Sequence, residues 1–133
     1  LKNQISPQDA FYLWQSKFNN LEALILNFNE IGDEGMQYLS KNPFYGLKYL
    51  YLFHNNISNE GVAHIFDSVF IDKLLLLDLS DNPNINADGI NIIKNKMQNN
   101  NNNILKELLC LNLSATDLND IALKYLGEIT FQN

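Results

Sequence analysis

The hydrophobic pattern of this chain runs through one cycle and then begins again. Leucine recurs at Leu21, Leu24 and Leu26, and the segment closes on Asn29. The same Leu-x-x-Leu-x-Leu-x-x-Asn arrangement returns at Leu47, Leu50, Leu52 and Asn55, and again at Leu74, Leu77, Leu79 and Asn82. A fourth copy, Leu108, Leu111 and Leu113, ends on Thr116. The starts lie 26, 27 and 34 residues apart. The alternation inside each copy is the period of a strand with one buried face.

The pattern then shifts to a helical period. An aliphatic residue follows the asparagine at Ile31, Ile57, Ile85 and Leu118, and four residues later comes Gly35, Gly61, Gly89 or Ala122. Met36, Val62, Ile90 and Leu123, then Leu39, Ile65, Ile93 and Leu126, mark the buried side of a helix. Ser6, Gly32, Ser58, Asn86 and Asn119 share one aligned position and are acceptable N-caps. Acids follow them in the first turn, where a helix end favours negative charge. The aligned glycine is expected to let each helix start approach the strand layer. Phe18, Phe44 and Phe70 precede the next strand.

A strand and a helix that cannot bury their apolar faces alone must stack on copies of themselves. Each buried leucine contributes roughly 1.5–3 kcal/mol to such a stack. These residues, the segment 21–39 above all, resemble the leucine-rich repeat family, specifically its ribonuclease-inhibitor-like class. The resemblance covers nearly the whole chain and implies an α/β fold: a curved horseshoe segment of solenoid, with parallel strands on the concave face and helices on the convex face. One domain spans 1–133. Residues 1–20 are a partial repeat, 21–46, 47–73 and 74–107 full repeats, and 108–133 a degenerate last repeat. Asn3, Ile5, Ala10, Leu13 and Phe18 sit one 26-residue step before their counterparts, so the chain is expected to be part of a longer solenoid, a divergent native cap being the alternative. The run Asn99–Asn103 accounts for the long third spacing and is expected to loop out on the convex side or at the helix end.

The asparagine has a physical reason. The chain turns inward after the strand, and a buried amide side chain can satisfy both N–H and C=O groups there. Asn29, Asn55 and Asn82 are predicted to form such a ladder, which the family resemblance also implies. Thr116 can do part of that work.

Solenoids of this kind bind partners on the concave face. Strand positions between the inward leucines point to it, and on the second strand these are Tyr49, Tyr51 and Phe53, predicted to be exposed. Ile25 and Leu76 flank them, and His54 follows at the rim. Exposed apolar surface of that extent suggests a covered site, and tyrosine is a favoured hot-spot residue; cross-strand stiffening is the structural alternative. Asp78 and Asp81 form an acidic border that would prefer a basic protein. The partner expected is therefore another protein.

Composition narrows the function. The net charge is -6, and all nine basic residues are lysines. Nucleic-acid binding calls for a basic face, usually with arginine. No apolar run approaches the roughly 20 residues of a membrane helix, and the first residues carry no signal-peptide pattern. The single cysteine, Cys110, fits a reducing compartment. A cytoplasmic location is expected, cytoskeletal or ciliary assemblies included. Cys110 and His54 fall on strands two steps apart, roughly 10 Å, too far for a thiol–imidazole pair. His64 reads as a surface residue of a helix and Trp14 as packing. No metal-ligand spacing or phosphate loop appears, so no enzyme, cofactor, metal or small-molecule substrate is expected. The resemblance admits two other roles, a regulator of a small GTPase of the activator kind and a recruiting adaptor or effector.

Overall fold

The computed structural model describes residues 4–99 and 106–129. Helices and strands alternate: α1 (Pro7–Gln15), β1 (Ala23–Ile25), α2 (Gly32–Ser40), β2 (Tyr49–Tyr51), α3 (Asn59–Phe66), β3 (Leu76–Asp78), α4 (Ala87–Asn99), β4 (Cys110–Asn112) and α5 (Asp120–Gly127). The strands form one parallel sheet in the order β1-β2-β3-β4. Leu24, Leu50, Leu77 and Leu111 lie side by side in register. Each helix packs on the next, so the chain winds in successive turns around one core.

That core is made by the repeated leucines and isoleucines. Leu47, Leu52, Leu74, Leu77, Leu79, Ile57 and Ile85 are fully buried. Leu24 and Leu111, on the two outer strands, are half-buried. Phe44 and Phe70 are buried and meet edge to face at 5.5 Å, while Phe18 stacks on Phe44 at 6.3 Å and is more open. In the last helix Ala122 is buried, but Leu123, expected in the core, is 57% exposed and Leu126 half-buried. The buried side of α5 is narrower than its sequence period suggests.

The aligned glycines sit where a helix meets the first turn of the helix before it, rather than the strand layer. A Cβ on Gly61 would collide with Asp33 Oδ1 and lie 2.6 Å from Ile57 Cγ2. Gly35 faces Ala10 and its own Ile31 in the same way, and Gly89 faces Asn59. Ser6, Ser58 and Asn119 cap their helices through side-chain oxygens. Asn86 Oδ1 accepts from the Asp88 amide at 2.9 Å. Gly32 has no side chain to offer, and α2 starts with no side-chain cap. Its φ of +59° suits glycine.

A buried asparagine closes a helix end. Asn42 Nδ2 donates to the carbonyls of Leu13, Trp14 and Ser16 at 3.0–3.2 Å, at the C-terminus of α1. Carbonyls at a helix end lack their i+4 donors, and Asn42 supplements the single Ser16 amide that reaches Leu13 O. The long third repeat is partly absorbed by α4, which runs 13 residues, against 8 in α3. Asn99 is its last residue; Asn100–Asn103 lie outside the described residues.

Candidate partner-binding face

Each strand ends in the same turn. Phe28, His54, Asp81 and Ala115 each lie three residues past the end of a strand, with φ of 58°, 54°, 54° and 53°. The left-handed conformation costs an L-residue about 1–2 kcal/mol, so the turns are held by what surrounds them. The asparagines do much of that holding. Asn82 Nδ2 donates to the carbonyls of Leu79, Leu52 and Ser80 at 2.9–3.2 Å. Its Oδ1 accepts from the amides of Asn55 and Ile57 at 3.0 and 2.9 Å. Asn55 Nδ2 reaches Leu26 O at 2.8 Å and Phe53 O at 3.1 Å, but its buried Oδ1 has no partner. The Ile31–Gly32 turn departs from the repeat there, and the Gly32 amide bonds the Asn55 carbonyl instead. Asn29 joins Leu26 O to the Ile5 amide. Thr116 makes one bond, from Oγ1 to Leu113 O at 2.7 Å.

On the strand face, the register sets Tyr51 between Ile25 and Asp78, and Tyr49 between Ala23 and Leu76. Sequence alternation predicts Tyr49, Tyr51 and Phe53 to be exposed; they are half-buried, as is Leu76. Neighbouring side chains on the pleat cover part of each ring. Ile25 is 63% exposed. Ser80 is buried and donates to Asp78 Oδ1 at 2.5 Å. Asp78 Oδ1 also accepts the Ser80 amide at 3.0 Å, so part of this carboxylate serves its own strand end. Lys48 donates to Glu22 at 2.8 Å, and that hydrogen bond, with the glutamate charge, holds the Lys48 ammonium above the usual lysine range.

The rim gathers side chains that the repeat pattern alone does not single out. Phe28 meets Phe53 edge to face at 4.7 Å, and the His54 ring lies 5.6 Å from Phe28. His54 Nδ1 is 2.6 Å from Asp81 Oδ2. A carboxylate accepts, so Nδ1 carries the proton of this contact. Glu30 and Asn56 complete this edge; neither carries a sequence signal beyond its place in the turn. His54 thus partners Asp81 rather than Cys110, which is exposed on β4 with β3 between it and β2. His64 Nε2 is 3.9 Å from Glu60 on the same helix, and Trp14 packs beside Phe11 and Tyr38. Among the described residues, no group of three His, Cys, Asp or Glu could hold a metal ion, and no helix is long and apolar enough to cross a membrane.

One sheet of parallel strands alternating with helices, turned at buried asparagines, defines a leucine-rich-repeat solenoid. Residues 19–40 and 47–66 each match the family model described as Leucine Rich repeat. No curated protein matches the chain. Such repeats generally mediate protein–protein interaction.

Proposed function

We propose that the strand face holds a partner protein, with Tyr49, Tyr51 and Phe53 at the centre of the contact. Ile25 and Leu76 flank this centre, and His54, Asp78 and Asp81 border it. The observation that carries this reading is the aromatic row on β2 beside the open Ile25. Rings already half-held by their neighbours lose little freedom on binding, and tyrosine at a well-packed centre is a frequent hot spot. Asn29, Asn55 and Asn82 serve as the ladder that keeps the face in shape. The protein acts as a scaffold inside a larger intracellular assembly, a cytoskeletal or ciliary one included. Repeats of 26 and 27 residues with a full helix on the return path support the ribonuclease-inhibitor-like class, and with it the repeat boundaries at 21, 47, 74 and 108.

The test is crosslinking and mass spectrometry from the native source, comparing the chain with its Tyr51→Ala, Phe53→Ala double variant. A Tyr12→Ala variant, changed on the helix side where Tyr12 is 61% exposed, is the control. Loss of crosslinks in the double variant alone is the expected result. Equal crosslinking by all three folded proteins overturns the reading.

A further inference from the structure

The two lateral edges of the solenoid differ in charge: one is acidic throughout, while the other carries the lysines mixed with Glu22, Asp67, Asp72, Glu107 and Glu128. Every described lysine lies in the C-terminal half of a helix or in the segment leading from it to the next strand. Between the end of a strand and the first turn of the following helix there is no described lysine. Asp9, Asp33, Glu34, Glu60, Asp88 and Asp120 occupy first helical turns, where the helix dipole explains them. Glu30, Asp81 and Asp117 stand on the same edge outside any helix, and the dipole does not account for them.

Two of these three line a cleft. Asn29, Glu30, His54, Asn56, Asp81 and Pro83 enclose about 470 Å³. A second cleft of about 530 Å³ adjoins it through Asn29, Glu30 and His54, and its wall includes Phe28. Phe28 is 43% exposed and is braced by Phe53. Two carboxylates line this space beside an aromatic wall, Glu30 and Asp81, the latter also the partner of His54 Nδ1.

We infer that this paired cleft receives an arginine side chain from an extended basic segment of the partner protein. A guanidinium presents five donors and no acceptor, and its flat face stacks on aromatic rings. That matches two carboxylates beside the Phe28 ring better than a compact ammonium does. The inference rests on the strand face being the docking surface. It adds that the partner's chain crosses the rim with its cation between Glu30 and Asp81.

The test uses a fluorescein-labelled peptide of alternating arginine and leucine, read by fluorescence anisotropy, with citrulline replacing arginine in the control. The arginine peptide is expected to bind about tenfold more tightly than the citrulline peptide. The double variant Glu30→Gln, Asp81→Asn is expected to weaken it about tenfold, equivalent to about 1.4 kcal/mol. The double variant Asp88→Asn, Asp120→Asn removes the same charge from the same edge outside the cleft, and a change of less than about twofold is expected from it. Equal weakening by both pairs, or by neither, or an arginine peptide that binds no better than citrulline, overturns the assignment. Unchanged thermal midpoints establish that the variants fold. Loss of native crosslinks in the Tyr51→Ala, Phe53→Ala variant would leave the strand-face reading standing even if the cleft takes no arginine.

Discussion

Asp33, in the first turn of one helix, caps the next helix through Ser58. Its Oδ1 accepts the Ser58 amide at 2.8 Å and its Oδ2 accepts the Ser58 hydroxyl at 2.6 Å. The same Oδ1 takes the Gly61 amide at 2.9 Å. One carboxylate therefore sits against two helix N-termini at once. Asn59 holds the equivalent place one repeat on, where its Oδ1 accepts the Asn86 amide at 3.1 Å. Asp33→Ala is expected to lower stability by about 1.5–3 kcal/mol, the range for charge-assisted hydrogen bonds, and Asp33→Asn by less. Urea unfolding, read as a shift of midpoint at constant slope, measures both.

Gly61→Ala tests the approach of α3 to α2. The added methyl meets Ile57 Cγ2 and displaces the Asp33 carboxylate, so overpacking and loss of the cap act together. A loss of about 1–3 kcal/mol is expected. A neutral result in the same unfolding assay would show that the helices can move apart freely.

The two buried asparagines of the middle turns are not equivalent. Asn82 makes five hydrogen bonds with both ends of its amide, whereas Asn55 uses only its amide nitrogen. Removing Asn82 strands several buried backbone groups at about 1–3 kcal/mol each. Asn82→Ala is expected to destabilise more than Asn55→Ala, and equal losses in parallel melts would contradict this account.

Ala115→Gly goes the other way. Ala115 is exposed and holds φ at 53° with no side-chain hydrogen bond to lose. Relief of the left-handed strain outweighs the added chain entropy of glycine by about 0.5–1 kcal/mol. The thermal midpoint should rise.

The α1 cap gives a pH signature. Asp9 accepts from the Ser6 hydroxyl and the Ser6 amide at 2.6 and 2.9 Å, and these bonds hold its carboxyl below the ordinary 3.8. A depressed folded value means the contribution is present above the unfolded pKa and is lost as pH falls through the folded one. The stability gap between the chain and Asp9→Asn should be constant at neutral pH and close below about pH 4. Fluorescence of Trp14, the single tryptophan and a residue of the same helix, reports it.

The winding was legible because each leucine position must repeat for neighbouring turns to share a core. The spacing of Leu24, Leu50 and Leu77 carried even the sheet register. Exposure on the strand face was less legible. Alternation says which way Tyr51 points, not how far Ile25 and Asp78 cover it. The rim was the least legible. Left-handed turns usually advertise themselves with glycine or asparagine, and here they fall on Phe28, His54, Asp81 and Ala115. Glu30 enters its cleft only through the path of the turn. The reach of Asp33 to Ser58 was hidden too, because a first-turn acid already has a local reason to be there.

Nine acids along one lateral edge, against eight described lysines and five acids along the other, make the chain an electric dipole directed across its width. A uniformly charged support exerts a torque on such a body and stands it on edge. A cationic resin would hold it by the Glu30–Asp81 side and an anionic one by the lysine side. In either posture the β2 aromatics stay clear of the support. At physiological salt the field fades within about 8 Å, so this alignment acts only in the last step before contact.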